Sequence, residues 1–231
     1  MFSTGPSPVS GDGGLPRGVR QLIVANGLAF LAQALLPGIT AFLGLNPPRV
    51  LALELWRPFT YMFLHGGLFH LFVNMFMLYM FGAPLERIWG RRRFVRYYLL
   101  CGVGAALVAM LPLPAFFYAN TIGASGAVYG VMLAFGMLFP SARVLVFFLV
   151  PMSARHFVIV LGFIAFVSSI SATGDGISHI AHLGGIVAGY LLLRRDGLLP
   201  RYRRRTPVGR VWDDIQRRRR RARFDRYDTL H

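Results

Sequence analysis

Residues 121–139 read TIGASGAVYGVMLAFGMLF, a run of 19 residues without a charged side chain. A helix that crosses the hydrocarbon core of a bilayer needs about 20 mainly apolar residues. The run carries one serine, Ser125, followed by Gly126 and Gly130, which are four residues apart. Small residues at this spacing let two membrane helices approach closely. The stretch therefore predicts a membrane-spanning helix that packs tightly against a partner and carries a hydroxyl group.

Similar apolar stretches flank this run on both sides. The chain of 231 residues is 55% hydrophobic and 15% charged, whereas about a quarter of the residues in an average soluble domain are charged. This composition excludes a disordered chain and argues against a soluble domain. We expect an all-α, polytopic membrane protein with a six-helix domain over residues 19–195, between a disordered cytoplasmic N-terminal tail (1–18) and an Arg-rich cytoplasmic C-terminal tail (196–231). The predicted spans are 19–37, 67–85, 94–112, 121–139, 156–173 and 177–194.

The arginines predict the orientation of these spans. All 25 basic residues are arginine, against 9 acidic residues, which gives a net charge of +16. The loop after the first span carries only Arg49 and Arg57, and the other arginines lie in the opposite loops and the two terminal flanks. Because arginine is concentrated on the cytoplasmic side of membrane proteins, we expect both termini in the cytoplasm. Arginine-only usage suggests a GC-rich genome and hence a bacterial inner membrane.

The basic tail and the two longest connections complete the predicted organisation. The tail is expected to contact anionic lipids, and no nucleic-acid partner is expected. Residues 38–66 form an outer loop that is rich in apolar side chains, as is typical of a segment packed at the membrane interface. Residues 140–155 are predicted to be an amphiphilic cytoplasmic connector. The single cysteine, Cys101, excludes an intrachain disulfide.

Four polar side chains fall inside the predicted spans at a similar depth near their outer ends. They are His70, Asn74, Ser125 and His182. His70 and Asn74 share one helix face because they are four residues apart. Polar and ionisable groups inside a bilayer are costly and need a partner or a function. The middle of each span lacks Asp, Glu and Arg, which argues against a transporter.

Glycine spacing predicts that two of these side chains meet. Gly185 and Gly189 lie on the stripe of the sixth span that begins at His182, and they match the two glycines that follow Ser125. Close packing of the two stripes would place Ser125 against His182. His179 lies three residues earlier and lacks this relation to the glycines, so we favour His182 as the partner.

A serine paired with a histidine indicates nucleophilic catalysis. The hydroxyl becomes an effective nucleophile when a base takes its proton, and His182 is the expected base. Because the spans offer no carboxylate, the pair would be a dyad. The developing oxyanion needs hydrogen-bond donors, for which the candidates are His70, Asn74 and the backbone N–H of Ser125. Gly123 would allow the incoming loop to approach closely.

In their order and spacing these segments resemble the rhomboid family of intramembrane serine proteases. The matching motifs are Trp56-Arg57, His70-x-x-x-Asn74, Gly123-x-Ser125-Gly126 and Ala181-His182-x-x-Gly185-x-x-x-Gly189. The resemblance implies Ser125 as the nucleophile, His182 as the general base, and His70 and Asn74 as oxyanion-hole contributors. It also implies that Tyr129 packs on the catalytic histidine, although from the residues alone Tyr129 is equally well a core aromatic. His65 and Glu86 fall where family members have structural residues.

The implied activity is cleavage of single-span membrane proteins in or near the outer part of their transmembrane segment, through an acyl-enzyme. The resemblance implies substrate entry between spans two and five, with the turn Gly174–Gly176 as a movable cover. No cofactor is expected, and no metal either, because the sequence lacks HExxH and has no carboxylate beside the histidines. The alternative is a catalytically inactive rhomboid-like protein that binds membrane helices for trafficking or quality control. The presence of both Ser125 and His182 favours the protease.

Overall fold

A computed structural model describes residues 14–111, 120–146, 150–170 and 179–198 of the chain. Most of these residues are helical. A 3₁₀ turn spans Tyr61–Phe63, and a π turn spans Leu78–Gly82 inside the continuous helical run Leu68–Trp89. The helices are α1 (Arg17–Leu35), α2 (Ile39–Leu43), α3 (Pro47–Leu51), α4 (Arg57–Thr60), α5 (Leu68–Met77), α6 (Ala83–Trp89), α7 (Arg91–Ala109), α8 (Ser125–Leu138), α9 (Ala154–Ile170) and α10 (His179–Arg195). The strands are β1 (Arg143–Val146) and β2 (Val150–Ser153).

Within the part of the chain that the structure describes, two helical runs are long and apolar enough to cross a bilayer, judged by length and composition. They are α1 and the continuous run Leu68–Trp89. Helix α8 and the first part of α9 are apolar but shorter. Four of the first six residues of α7 are arginines, and α10 has 17 residues and ends on two arginines. The count of six spans therefore stays a prediction.

The core is built where α7, α8 and α10 pack through glycines. A Cβ added to Gly185 would lie 1.9 Å from the carbonyl oxygen of Gly126, and one added to Gly189 would lie 3.1 Å from the Cα of Gly130. The glycine stripes of α8 and α10 therefore face each other in direct backbone contact. On the α7 side, the buried Cys101 fills the space beside Gly130, 2.6 Å from where a Cβ would stand. At Gly185 the backbone of Gly126 leaves no room for a side chain, and at Gly130 and Gly189 a side chain would force neighbouring atoms to shift.

The segment over residues 38–66 is ordered around a buried arginine. The side chain of Arg57 is fully buried and donates hydrogen bonds to the carbonyl oxygens of Ala41 (2.8 Å) and Gly44 (2.6 Å). It also pairs with Glu54. The segment nevertheless exposes many large apolar side chains, which fits the expected position at a membrane interface. These are Phe42, Leu51, Leu53, Leu55, Trp56 and Phe59.

A carboxylate joins the end of the second long helical run to the start of α1. Glu86 accepts hydrogen bonds from the backbone N–H groups of Gly18 and Val19, each at 2.7 Å. The first N–H groups of a helix have no partner within the helix, and a negative charge is favourable there. A Cβ on Gly18 would lie 2.9 Å from the Glu86 carboxylate. Glu86 thus acts as a cap supplied from another helix.

The described residues are mostly helical, as predicted, but the connector between α8 and α9 contains a hairpin. Strands β1 and β2 form an antiparallel hairpin in which Arg143 pairs with Ser153 and Leu145 with Pro151. The sequence predicted only an amphiphilic connector here, with no assigned secondary structure. Its apolar residues include several β-branched ones, which favour extended backbone, and a short apolar run does not by itself distinguish strand from helix.

The predicted start of the fourth span is also wrong. Helix α8 begins at Ser125 rather than at Thr121, so Ser125 is its first residue and not one turn inside it. Gly123 has a φ of +126°, which cannot continue a helix. Thr121 instead forms an isolated bridge with Leu45, with both backbone hydrogen bonds at 2.9 Å. The predicted turn 174–176 and nearly all of the two predicted tails lie outside the described residues.

Candidate active site

Ser125 and His182 lie side by side at the starts of α8 and α10. The Oγ of Ser125 is 2.7 Å from Nε2 of His182, although the two residues are 57 positions apart in the chain. The backbone contact between Gly126 and Gly185 brings the two helices close enough for this hydrogen bond. The structure therefore brings together the two side chains that the glycine spacing indicated.

The imidazole of His182 is held in a buried position. It is 9% exposed and stacks on the ring of Tyr129, with 4.4 Å between ring centroids and 8° between planes. Within the described residues, Nδ1 is buried and has no hydrogen-bond partner. For Nε2 to accept the Ser125 proton, Nδ1 must carry the ring hydrogen. The ring position is therefore set by Tyr129 and by packing, and no carboxylate of the described residues bonds to Nδ1.

His70 and Asn74 lie on α5, across a cavity from this pair. A Cβ on Gly123 would be 3.0 Å from Cε1 and 3.1 Å from Nε2 of His70, and 3.7 Å from Oγ of Ser125. The His70 ring thus packs against the backbone of Gly123, next to the serine. The side-chain nitrogen of Asn74 donates to the carbonyl of His70 at 2.9 Å, and an amide nitrogen carries a second N–H.

The start of α8 supplies further donors. Ser125 is the first residue of the helix, so its backbone N–H belongs to the group that lacks an intrahelical acceptor. The N–H of Gly123 is not available in the same way, because it donates to the carbonyl of Tyr61 at 3.0 Å. The backbone and side-chain donors of Ser125, His70 and Asn74 all border one space.

That space is a cavity of about 800 Å³. His70, Asn74, Ser125 and His182 line it together with the polar residues Tyr61, Thr121 and Tyr129, and the remaining wall is mainly apolar. Helix α5 and residue Leu161 of α9 both contribute to the lining, and these helices correspond to predicted spans two and five. The cavity therefore borders the expected route of entry, whereas the expected cover at 174–176 lies outside the described residues.

Two other histidines lie near the pair. The ring of His179 is edge-on to that of His182, with centroids 5.8 Å apart. His65 is buried, and its ring is edge-on to that of His70 at 5.0 Å. Burial, together with the neighbouring His70, lowers the pKa of His65 to about 4, so its ring is neutral at physiological pH. Within the described ranges, no three His, Cys, Asp or Glu side chains group as a metal site.

Sequence reasoning missed two tyrosines that support the site. The hydroxyl of Tyr61 donates to the carbonyl of Gly102 at 2.7 Å, and its own carbonyl holds Gly123. The hydroxyl of Tyr97 donates to the carbonyl of Gly130 at 2.9 Å. Both anchor backbone of the loop or helix that carries Ser125. No pattern in the sequence distinguishes them from ordinary core tyrosines.

The Rhomboid domain family matches residues 52–196, which is more than half of the chain and includes the whole cavity-lining polar set. The chain belongs to the rhomboid family. Rhomboid proteins have a helical, polytopic membrane fold, and the family includes serine proteases.

Individual relatives match the same part of the chain. Putative rhomboid protease YdcA of Bacillus subtilis is 31% identical over 141 residues, which are 60% of this chain and 66% of that protein. Rhomboid protease GluP of the same organism is 32% identical over 150 residues, 63% of this chain and 27% of that protein. RHOMBOID-like protein 4 of Arabidopsis thaliana is 32% identical over 140 residues, 60% of this chain and 33% of that protein. The chain thus spans about a third of the length of the Arabidopsis relative.

Proposed function

We propose that this rhomboid protein is an intramembrane serine endopeptidase that uses Ser125 and His182 as a catalytic dyad. The observation that carries the proposal is the 2.7 Å contact between Ser125 Oγ and His182 Nε2. The pair lines a cavity that His70 and Asn74 also line, and both of these side chains can donate hydrogen bonds. A hydroxyl, a base and converging donors are the parts that acyl transfer requires.

The first half-reaction forms an acyl-enzyme. Ser125 Oγ attacks the scissile carbonyl carbon while Nε2 of His182 takes the hydroxyl proton. The same nitrogen then gives this proton to the leaving amine, and the C–N bond breaks. In the second half-reaction, water replaces the amine: His182 takes a proton from water, which attacks the ester, and returns it to Ser125 Oγ. The imidazole ends in its starting state.

The negative charge on the carbonyl oxygen is stabilised by the donors around the cavity. The backbone N–H of Ser125 lies at the positive end of α8, and His70 and Asn74 approach from α5. Removing a single donor from such a site typically costs a factor of about 10² to 10³ in kcat. Gly123 supports this arrangement, because its φ of +126° favours glycine and an added Cβ would lie only 3.0 Å from the His70 ring.

The substrates we propose are single-span membrane proteins, cut in or near the outer part of their transmembrane segment. A helical substrate hides its carbonyls in its own hydrogen bonds, so it must unwind locally to reach Ser125. Helix-weakening residues such as glycine reduce the cost of that step. The proposed location is a bacterial inner membrane, with six spans, both termini in the cytoplasm and the cavity open to the outer face.

The proposal is tested by cleavage of a model single-span substrate in liposomes. The wild-type chain is compared with Ser125→Ala and His182→Ala, and His179→Ala serves as the matched control on the same helix. We expect cleavage by the wild type and by His179→Ala, and none by the other two. Loss of cleavage in His179→Ala with retention in His182→Ala would reverse the assignment of the base.

The inactive alternative predicts a different result. A folded wild-type chain that binds substrate helices, and cuts none of a panel of substrates with and without glycine near the outer end, supports a rhomboid-like binding protein. In that case Ser125→Ala leaves helix binding unchanged.

A further inference from the structure

The hairpin β1–β2 exposes an apolar face at the end of the molecule away from Ser125. Helix α8 runs 14 residues from Ser125 to Leu138, about 20 Å along its axis, and the hairpin follows directly. Val144 is buried in the core, whereas Leu145 is 53% exposed and Pro151 is also exposed. Leu145 lies opposite Pro151, so both point outward from the same face of the hairpin.

Two arginines lie beside this face, at the end of the hairpin that joins α8 and α9. Arg143 is two residues from Leu145 and therefore shares its face of the strand. Arg155 lies in the first turn of α9, just after β2. Both are exposed and line one cavity of about 610 Å³ at the foot of the hairpin. The hairpin thus changes from basic at its base to apolar further out.

No carboxylate neutralises these arginines within the described part of the chain. Three acidic residues fall there, and each is engaged elsewhere. Glu54 pairs with Arg49 and Arg57, Glu86 caps α1, and Asp196 pairs with Arg96 and Arg195. Ser153 and His156, which also line the cavity, are hydrogen-bonded to each other at 2.7 Å. The free charge of this cavity is therefore positive.

An exposed apolar stripe on α9 begins next to Arg155, which lines this cavity. Arg155 is followed at helical spacing by Ile159, Phe163 and Phe166, which are 57%, 66% and 51% exposed. Residues at i, i+4, i+8 and i+11 lie on one side of a helix. In a rhomboid protein, an exposed apolar stripe on a helix of this kind faces lipid. Arg155 extends that stripe by about one turn, to the level where a lipid headgroup would lie.

We propose that Arg143 and Arg155 bind the phosphate of an anionic phospholipid, while Leu145 and Pro151 insert into the acyl region of the same leaflet. This is the leaflet opposite the Ser125 cavity. Guanidinium groups match phosphate oxygens in a two-pronged geometry. A basic edge beside an apolar face is the arrangement of interfacial membrane elements. The site does not depend on the proposed catalytic activity.

The headgroup contact is tested with the full-length chain in detergent, by titrating phosphatidylglycerol and counting bound lipids by native mass spectrometry. The variant Arg143→Gln/Arg155→Gln should lower the affinity on the order of 25-fold, since one basic residue near an anionic surface is worth about fivefold. The matched control is Arg20→Gln/Arg87→Gln, which removes the same charge from two exposed positions outside the cavity. It should change the affinity less than twofold.

Two outcomes of this titration would overturn the proposal. Equal losses in both double variants would mean that net charge alone attracts the lipid. An unchanged affinity in Arg143→Gln/Arg155→Gln would mean that the lipid binds elsewhere. Phosphatidylcholine serves as the zwitterionic comparison, and its binding should not distinguish the variants.

The insertion of the apolar face is tested on an otherwise native chain. A nitroxide label is attached to Leu145→Cys in nanodiscs that contain phosphatidylglycerol. Cys101, the natural thiol, is fully buried and does not compete for the label. We expect more frequent collisions with oxygen than with a water-soluble nickel chelate. The reverse ratio would place the hairpin in water, and protection from both reagents would indicate a protein partner; either overturns the proposal.

Discussion

The described residues include two hydrogen-bonded serine–histidine pairs, one beside the large cavity and one at the start of α9. In the first, Ser125 Oγ lies 2.7 Å from Nε2 of His182. In the second, Ser153 Oγ lies 2.7 Å from Nδ1 of His156. The two bonds have the same length, so distance alone gives no reason to regard one pair as a catalytic candidate and the other as structural.

Their surroundings differ in every other respect. Ser153 and His156 are three positions apart, and the same hydroxyl also accepts from the backbone N–H of His156 at 3.5 Å. This is a local helix-capping arrangement. Ser125 and His182 are 57 positions apart and meet only because two helices pack through glycine. A catalytic candidate is distinguished by a buried base, a cavity and converging donors.

The largest expected effect is a direct contrast between the pairs. Ser125→Ala and His182→Ala should lower kcat/KM for a single-span substrate by about 10³-fold or more, as expected when one member of a catalytic unit is lost. Ser153→Ala and His156→Ala should stay within twofold of wild type. Substrate cleavage in liposomes measures all four variants. A comparable loss in Ser153→Ala would remove the distinction between the two pairs.

Removing one of the hydrogen-bond donors near Ser125 and His182 should have a smaller effect than removing either of these two side chains. Asn74→Ala should lower kcat by about 10² to 10³ with little change in KM, because the lost hydrogen bond forms in the transition state. Asn26 is the matched control: it is also buried and also donates to the carbonyl four residues earlier, at 2.7 Å. If kcat falls by the same factor in folded Asn26→Ala as in Asn74→Ala, the effect of the Asn74 substitution is structural.

The dependence of the first pair on helix packing is tested at Gly185. Gly185→Ala places a Cβ 1.9 Å from the Gly126 carbonyl, and the forced shift should destabilise the protein by about 1–3 kcal/mol or more. Gly27→Ala is the control, since nothing lies within 4 Å of its added Cβ. It should stabilise α1 by about 0.5–1 kcal/mol. Thermal unfolding in detergent compares the two, and equal stability would contradict the packing account.

The smallest effect concerns the ring beneath His182. Tyr129→Leu removes the stacked aromatic, and a pair of this kind is worth about 0.5–1.5 kcal/mol. We expect kcat/KM to fall by roughly two- to tenfold. Tyr129→Phe keeps the stacking and should retain activity. If Tyr129→Phe is as impaired as Tyr129→Leu, the hydroxyl rather than the ring supports the imidazole.

Part of the site and the family of the chain could be predicted from the sequence. The approach of Ser125 to His182 follows from two glycine stripes, because glycines four residues apart on both helices mark where two helices can pack closely. The family of the chain was also predictable, since its motifs are short and ordered. The pairing of Ser153 with His156 could not be predicted from the sequence, because a serine three residues before a histidine is common and its spacing indicates no particular contact.

Other features depend on contacts that no local pattern encodes. The hairpin at 143–153 has an apolar composition that suits strand and helix alike. The start of α8 is set by the positive φ of Gly123 and by the bridge from Thr121 to Leu45, which is 76 positions earlier in the chain. The support that Tyr61 gives to Gly123 likewise joins distant segments. These are tertiary effects, and a linear search for apolar spans does not detect them.

We expect Ser125 to be an activated nucleophile and Ser153 to be unreactive. A fluorophosphonate probe tests this expectation most directly, because the reaction needs no substrate: the attacking serine oxygen bonds to phosphorus and fluoride leaves. The full-length chain is labelled in detergent and the modified peptide is located by mass spectrometry. We predict modification at Ser125, lost in His182→Ala and retained in His156→Ala. Modification at Ser153, or labelling of Ser125 that is indifferent to His182→Ala, would contradict the account.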